Sequence, residues 1–151
     1  MNAIDLLKKQ HKNVKALFKK MENAEDARTR RQLLGQIAME LQVHTKIEEE
    51  IFYPAVKELD TKHAKEMVAE AFEEHHVVDL VLADLPNVNP ADERFEAKMT
   101  VLSELVEHHA DEEEKEMFKT ANRLGKDELN KLGERMQARA EELKSRGSKV
   151  A

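Results

Sequence analysis

Two stretches of this chain carry an apolar helical stripe that runs straight through a histidine and, one turn later, a glutamate. The first stripe reads Leu33/Leu34, Ile37, Leu41, His44, Glu48, Ile51/Phe52 and Ala55. The second reads Phe95, Met99, Leu102, Val106, His109, Glu113 and Met117. Intervals of three and four residues put such side chains on one face of an α-helix, the face a globular protein buries. A buried carboxylate without a partner costs several kcal/mol. Glu48 and Glu113 therefore require a fold that brings compensating groups to both. Two further stripes supply candidates. Ile4, Leu7, Val14, Leu17, Phe18 and Met21 run in line with His11. Ala64, Met67, Val68, Ala71, Val78, Val81/Leu82 and Leu85 run in line with His75.

Composition agrees with helices. Ala, Leu, Glu and Lys abound, while the 151 residues include only four Gly, three Pro, no Trp and no Cys. This points to an all-α chain, and the length suits one domain with a single core. Charges of both signs are interspersed and sum to −6, which reads as solvated helix faces. No basic stripe or aromatic platform offers nucleic acid a surface. Lack of Cys excludes disulfides, iron–sulfur clusters and zinc–thiolate sites, and it fits a cytoplasmic location. No apolar run reads as a signal peptide or a membrane span, so a membrane is not an expected partner either.

Capping residues set the expected boundaries. Asn2 caps the first helix, and Asp26 caps the second, which runs from about Ala27 to Leu59 with Pro54 kinking or loosening its last turn. Asp60 and Thr61 connect to a third helix. Leu85–Pro90 is the clearest loop, with Asn89 and Pro90 as cap and first-turn pair of a fourth helix. Gly125 is expected to end that helix as an αL residue, and Asp127 to cap a fifth carrying Leu129, Leu132, Met136, Ala140 and Leu143. Short connections favour an antiparallel up-down-up-down four-helix bundle over residues 1–125. Residues 126–151 form an additional C-terminal helix, across one end or along a groove, with a tail frayed from Ser145. The two hairpins read as an internal repeat.

Doubled histidines in the second hairpin make its register a choice. Apolar residues stand 3, 6, 7 and 10 positions after His11, and again after His75, but not after His76. His109 reproduces the apolar neighbours of His44 better than His108 does, because the position eight beyond His108 is Glu116. His109 with Glu113 is the better pair, and His108 with Glu112 stays open. His63 has no matching carboxylate and reads as solvated. Two of the three residues in each of Glu48–Glu50 and Glu112–Glu114 read as an outer face, and Tyr53 as a packing residue, with a redox or ligand role as the lesser reading. The inward set is His11, His44, Glu48, His75, His109 and Glu113. Two carboxylates between four histidines suggest two bridged metal ions, which turn costly burial into coordination. Mixed His/carboxylate ligation with open positions suits non-haem iron; manganese suits it less, and zinc has less use for six ligands.

The motifs Gln10-His11-Lys12, His44-Thr-Lys-Ile-Glu48 through Pro54, Glu74-His75-His76 and His108-His109-Ala-Asp-Glu112-Glu113 resemble those of the hemerythrin-like (HHE cation-binding) family over about residues 1–122. The resemblance implies a four-helix bundle around two non-haem iron ions with an oxo or hydroxo bridge. It also implies a small diatomic or peroxide ligand. Oxygen carriers of the family have a further histidine one turn after the third-helix ligand, where this chain has Asp79. Reversible oxygen carriage is therefore disfavoured against redox, peroxide or iron handling. A weak catalase-like or peroxide-consuming role is compatible with this. In the second half Lys119 stands where the first has Pro54, a change expected to alter helix shape more than ligation. The alternatives are a metal-binding sensor of oxygen, redox state or iron without turnover, and a metal-free bundle, which leaves Glu48 and Glu113 unexplained.

Overall fold

The computed structural model describes residues 1–150, with side chains to residue 147. Helix α1 (Ala3–Asn23) and α2 (Ala27–Ile47) form the first hairpin. A π-helical turn, Glu48–Phe52, then joins α2 to α3 (Tyr53–Lys57). Helices α4 (Lys62–Asp84) and α5 (Glu93–Glu112) form the second hairpin. Another π-helical turn, Glu113–Met117, leads into α6 (Phe118–Ala121), and α7 (Lys126–Val150) follows. The four long rods make the antiparallel bundle, and no strand occurs among the described residues. No helix is long and apolar enough to cross a membrane.

Side-chain caps fix most of the boundaries. Asn2 accepts from the Asp5 amide at 2.8 Å and Asp26 from that of Thr29 at 2.8 Å. Thr61 accepts from the Ala64 amide at 3.0 Å and is thus a cap, not merely a connector. Asp60, just before it, has a φ of 56°. Three expectations are corrected. Asn89 and Pro90 do not open α5: they make a turn in which the Asp92 amide donates to Asn89 O at 2.9 Å, and Asp92 is the cap. Gly125 has a positive φ of 92° but a ψ of 158°, so it leaves the helix in an extended rather than αL conformation. Its carbonyl accepts from the Leu129 amide, which places Asp127 inside the first turn of α7 rather than at its cap.

The π-turns correct a fourth expectation. In each, the amide five residues on donates to the carbonyl of the stripe glutamate, Tyr53 to Glu48 and Phe118 to Glu113. Pro54 follows the first turn, but Lys119 takes its place after the second. The proline is therefore not needed for this helix shape.

Apolar clusters lie above and below the polar residues. One gathers Val14, Phe18, Ile37, Leu41, Val78, Leu82, Phe95, Leu102 and Val106 toward the α4–α5 loop. The other gathers Leu6, Leu7, Val43, Ile47, Phe52, Val56, Val68 and Phe118, together with Leu129, Leu132 and Met136 of α7. Each aliphatic side chain buried this completely contributes roughly 1.5–3 kcal/mol. Helix α7 lies along the groove of α1 and α2. A Cβ at Gly133 would overlap the Met1 carbonyl, so glycine is what lets α7 cross the start of α1. Past Ser145 the helical backbone runs on to Val150, with Lys144 on Glu40 at 3.4 Å and Gly147 against Met39.

Candidate metal centre

The bundle brings all six inward residues of the stripes together at one level. His11, His44, Glu48, His75, His109 and Glu113 are buried, with Glu48 at 0% and Glu113 at 2% exposure. Helix α1 gives His11, α2 gives His44, α4 gives His75 and α5 gives His109. The glutamates stand at the joints where the α-helices become π-helical. Every histidine turns Nε2 inward: His11 lies 3.0 Å from Glu113 Oε1, His44 3.1 Å and His75 3.2 Å from Glu48 Oε1, and His109 3.3 Å from Glu113 Oε2. Two overlapping groups of donors result, His11/His44/Glu48/Glu113 and Glu48/His75/His109, which share Glu48.

The outer nitrogens explain why Nε2 faces in. His11 Nδ1 lies 2.9 Å from Glu114, and His75 Nδ1 lies 2.7 Å from Glu49. His44 Nδ1 lies 2.7 Å from Gln10 and His109 Nδ1 2.6 Å from Glu74. An acceptor at Nδ1 fixes the tautomer with its proton there and leaves Nε2 a lone pair, the usual preparation of a ligating histidine. These four acceptors follow the repeat: Glu49 and Glu114 each come after a stripe glutamate, and Gln10 and Glu74 each precede a stripe histidine. Residue-type patterning misses them because all four look like surface polar residues. The signal that finds them is their recurrence at equal positions in both halves. Glu49 and Glu114 are thus more than an outer face.

Tyr53 departs furthest from the sequence reading. Its hydroxyl is inside the cluster, donating to Glu113 Oε2 at 2.6 Å, with Glu48 Oε1 at 3.1 Å, His75 Nε2 at 3.1 Å and His109 Nε2 at 3.2 Å. Phe118 holds the equivalent place in the other half and stacks on His11 at 5.9 Å between centroids. The six inward histidines and glutamates are therefore symmetric, while this hydroxyl, like the exchange of Gln10 for Glu74 at Nδ1, distinguishes the halves.

Titration of the chain alone reflects the crowding. Burial raises Tyr53 well above its ordinary range, and the carboxylates of Glu48 and Glu113 add to this. Burial works against ionised Glu48, but the charge of His44 and hydrogen bonding in the cluster outweigh it and hold the carboxyl well below its usual range. Burial likewise opposes charge on His11, His75 and His109. The glutamates beside them outweigh it and raise all three, His109 most clearly. Contact with His109 lowers Glu74.

Other candidates lie elsewhere. His63, His76 and Asp79 are exposed on α4, so no nitrogen or carboxylate reaches inward one turn after His75. His108 is 67% exposed and its partner Glu112 is exposed as well. Two buried atoms of the cluster find no hydrogen-bond partner: Glu48 Oε2, and His44 Nε2, whose approach to Glu48 lacks hydrogen-bond alignment. Orphaned buried acceptors are costly, and a cation answers both. The donor set fits a metal.

Comparison with known proteins agrees. The model of the Hemerythrin HHE cation binding domain matches residues 2–121. The Mycobacterium tuberculosis H37Rv protein Rv2633c is 33% identical over 147 residues, covering 95% of this chain and 88% of its own. A crystal structure of the Hemerythrin HHE cation binding domain-containing protein from Mycobacterium kansasii, a Rv2633c homolog, superposes with a TM-score of 0.85 at 30% identity, covering 96% of this chain and 88% of that one. A DNA nickase of Nostoc sp. is 25% identical over 118 residues, 78% of this chain but 33% of that protein, so what the two share is one module. Built around a buried His/Glu cluster able to hold cations, this chain belongs to the hemerythrin HHE cation-binding domain family.

Proposed function

We propose that the six buried donors hold two non-haem iron ions and that the centre binds or reacts with oxygen, peroxide or nitric oxide. On this reading, redox, peroxide or iron handling is favoured over reversible oxygen carriage. The observation that carries the reading is the pair of donor groups joined through Glu48, with no extra nitrogen on α4 to make one metal richer in histidine than the other. Bound iron supplies a redox couple and open coordination positions for a small ligand.

The protein's own part is orientation and exclusion. Gln10, Glu49, Glu74 and Glu114 hold the rings, and Tyr53 keeps a proton beside Glu113. Val14, Leu41, Val78 and Val106, one from each long helix, cap the histidines and line a pocket of about 20 Å³. That space holds about one water-sized molecule. A space this small favours ligands of a few atoms over organic substrates.

The test is metal analysis with optical spectra of the purified protein. Two irons per chain with near-ultraviolet charge-transfer absorption support the proposal. A single zinc, or stability unaffected by chelation, overturns it. Oxygen evolution on adding peroxide then separates turnover from sensing.

A further inference from the structure

The motif His108-x-x-x-Glu112 stays outside the buried centre. It repeats the i, i+4 spacing of His109 and Glu113 one residue earlier on α5, so it points away from the core. His108 Nε2 lies 3.2 Å from Glu112 Oε1 and 4.0 Å from Glu74 Oε2, and the three residues present their donor atoms within 4.8 Å of one another. Donors bound at about 2.1 Å to one ion sit about 3 Å apart or slightly more. With His108 and Glu112 exposed and Glu74 half-buried, only a small adjustment closes the three on a cation.

The surroundings give this group a purpose. A cleft of about 60 Å³ runs between α4 and α5 from the surface to His109 and Glu113. Its polar walls are Glu70, Glu74, Glu112 and Glu116, and no lysine or arginine lines it. Glu74 joins the two levels, with Oε1 2.6 Å from the buried His109 and Oε2 facing His108.

The internal repeat supplies a control within the molecule. Positions corresponding to Glu74, His108 and Glu112 in the first hairpin are Gln10, Val43 and Ile47, and those corresponding to Glu70 and Glu116 are Leu6 and Ile51. Leu6, Val43 and Ile47 are buried in the cluster that includes α7. One face of the centre is thus sealed by a helix on apolar residues. The matching face is open and lined with carboxylates, and it carries a ligand-type histidine.

We propose that Glu74, His108 and Glu112 form an outer divalent-cation site at the mouth of this cleft, and that metal reaches the buried donors through it. The proposal rests on the reading that those donors hold metal. Negative clefts of this kind raise local cation concentration and association rates, and a ligating group at the mouth adds a place for the ion to shed water before Glu74 passes it inward.

The test is uptake of cobalt(II) by the metal-free full-length protein, followed by its d–d absorption after rapid mixing. His108→Ala removes a ligand but no negative charge, so it distinguishes a site from a diffuse field. The variant is expected to load about tenfold more slowly, the scale of losing one group from a metal site, with the buried donors reaching the same final spectrum as in the wild type. Glu104→Gln, which removes an exposed charge on the same helix outside the cleft, is expected to load at the wild-type rate. Loading of His108→Ala at the wild-type rate overturns the proposal, and so does equal slowing by Glu104→Gln. Failure of the wild-type protein to take up cobalt at all overturns instead the reading of the buried centre, and the proposal falls with it.

Discussion

Replacing Tyr53 by Phe changes one atom in the most crowded part of the centre. The ring itself is safe: Phe118 occupies the equivalent position after the second π-turn. The contacts of Tyr53 with Phe72 at 5.6 Å and His75 at 5.4 Å between centroids belong to the ring, not the hydroxyl. What is lost is a 2.6 Å bond to the buried Glu113 Oε2, whose nearest remaining partner is His109 at 3.3 Å. A hydrogen bond to a buried charged acceptor is worth about 1.5–3 kcal/mol. The metal-free variant should lose that much stability, a fall of roughly 3–12 °C in Tm for a chain of this size. On the proposed ligation metal satisfies Glu113 in place of the hydroxyl, so the loss should shrink in the loaded protein. Thermal unfolding of wild type and variant, each with and without metal, measures both. An unchanged Tm of the metal-free variant refutes the bond to Glu113. A loss undiminished by metal refutes the idea that Tyr53 and the metal serve the same carboxylate.

Three more outcomes are expected. His11, His75 and His109 titrate above the ordinary 6.5 in the metal-free fold. They therefore stabilise it fully below about pH 6.5 and cease to as pH rises through their folded values, whereas metal needs the same nitrogens unprotonated. As pH rises above about 6.5 the Tm of metal-free protein should fall and that of loaded protein rise, and parallel curves would contradict this. Gly133→Ala, a change that elsewhere in a helix gains about 0.5–1 kcal/mol, should instead destabilise, because the new Cβ overlaps backbone at Met1 and Asn2; chemical denaturation reads the sign. His109→Ala should lower the metal content of the buried centre and His108→Ala leave it unchanged, and the reverse pattern in metal analysis would move the α5 ligand outward by one residue.

Much of the fold is written in spacing. The stripes through His11, His44, His75 and His109 fix four helices and the face each buries, because a three-four alternation has one geometric meaning over so many turns. The choice of His75 over His76 and of His109 over His108 as the inward residue followed from the same apolar neighbours, and the burial of the first of each pair and exposure of the second match it. Local end geometry was less legible. Asn89 and Asp92 are both good caps, and only the turn that Pro90 favours, held by Arg30 donating to the Pro90 carbonyl at 2.7 Å, decides between them. The partners of the histidine Nδ1 atoms were hidden because each comes from a different helix, so the apolar spacing within one helix does not point to them, and only their recurrence in both halves does.

Tyr53 was missed for a reason that also explains the π-turns. A regular α-helix places the residue four beyond Glu48, Phe52, on the same face, and residue five a further 100° around it. A π-turn adds one residue to the turn, so the face that continues from Glu48 passes to the fifth residue. That shift brings the Tyr53 hydroxyl over the carboxylates instead of leaving it at the flank, and in the second half it brings Phe118 over His11. Phe52 and Met117, displaced from the face, remain buried in the cluster below. The two π-turns begin at the two glutamates, where a strict 3.6-residue period would pair each carboxylate with the wrong neighbour. The same local widening therefore places a proton donor on one half of the centre and a stacked ring on the other, and a sequence with Phe at position 53 would remove that one difference between them.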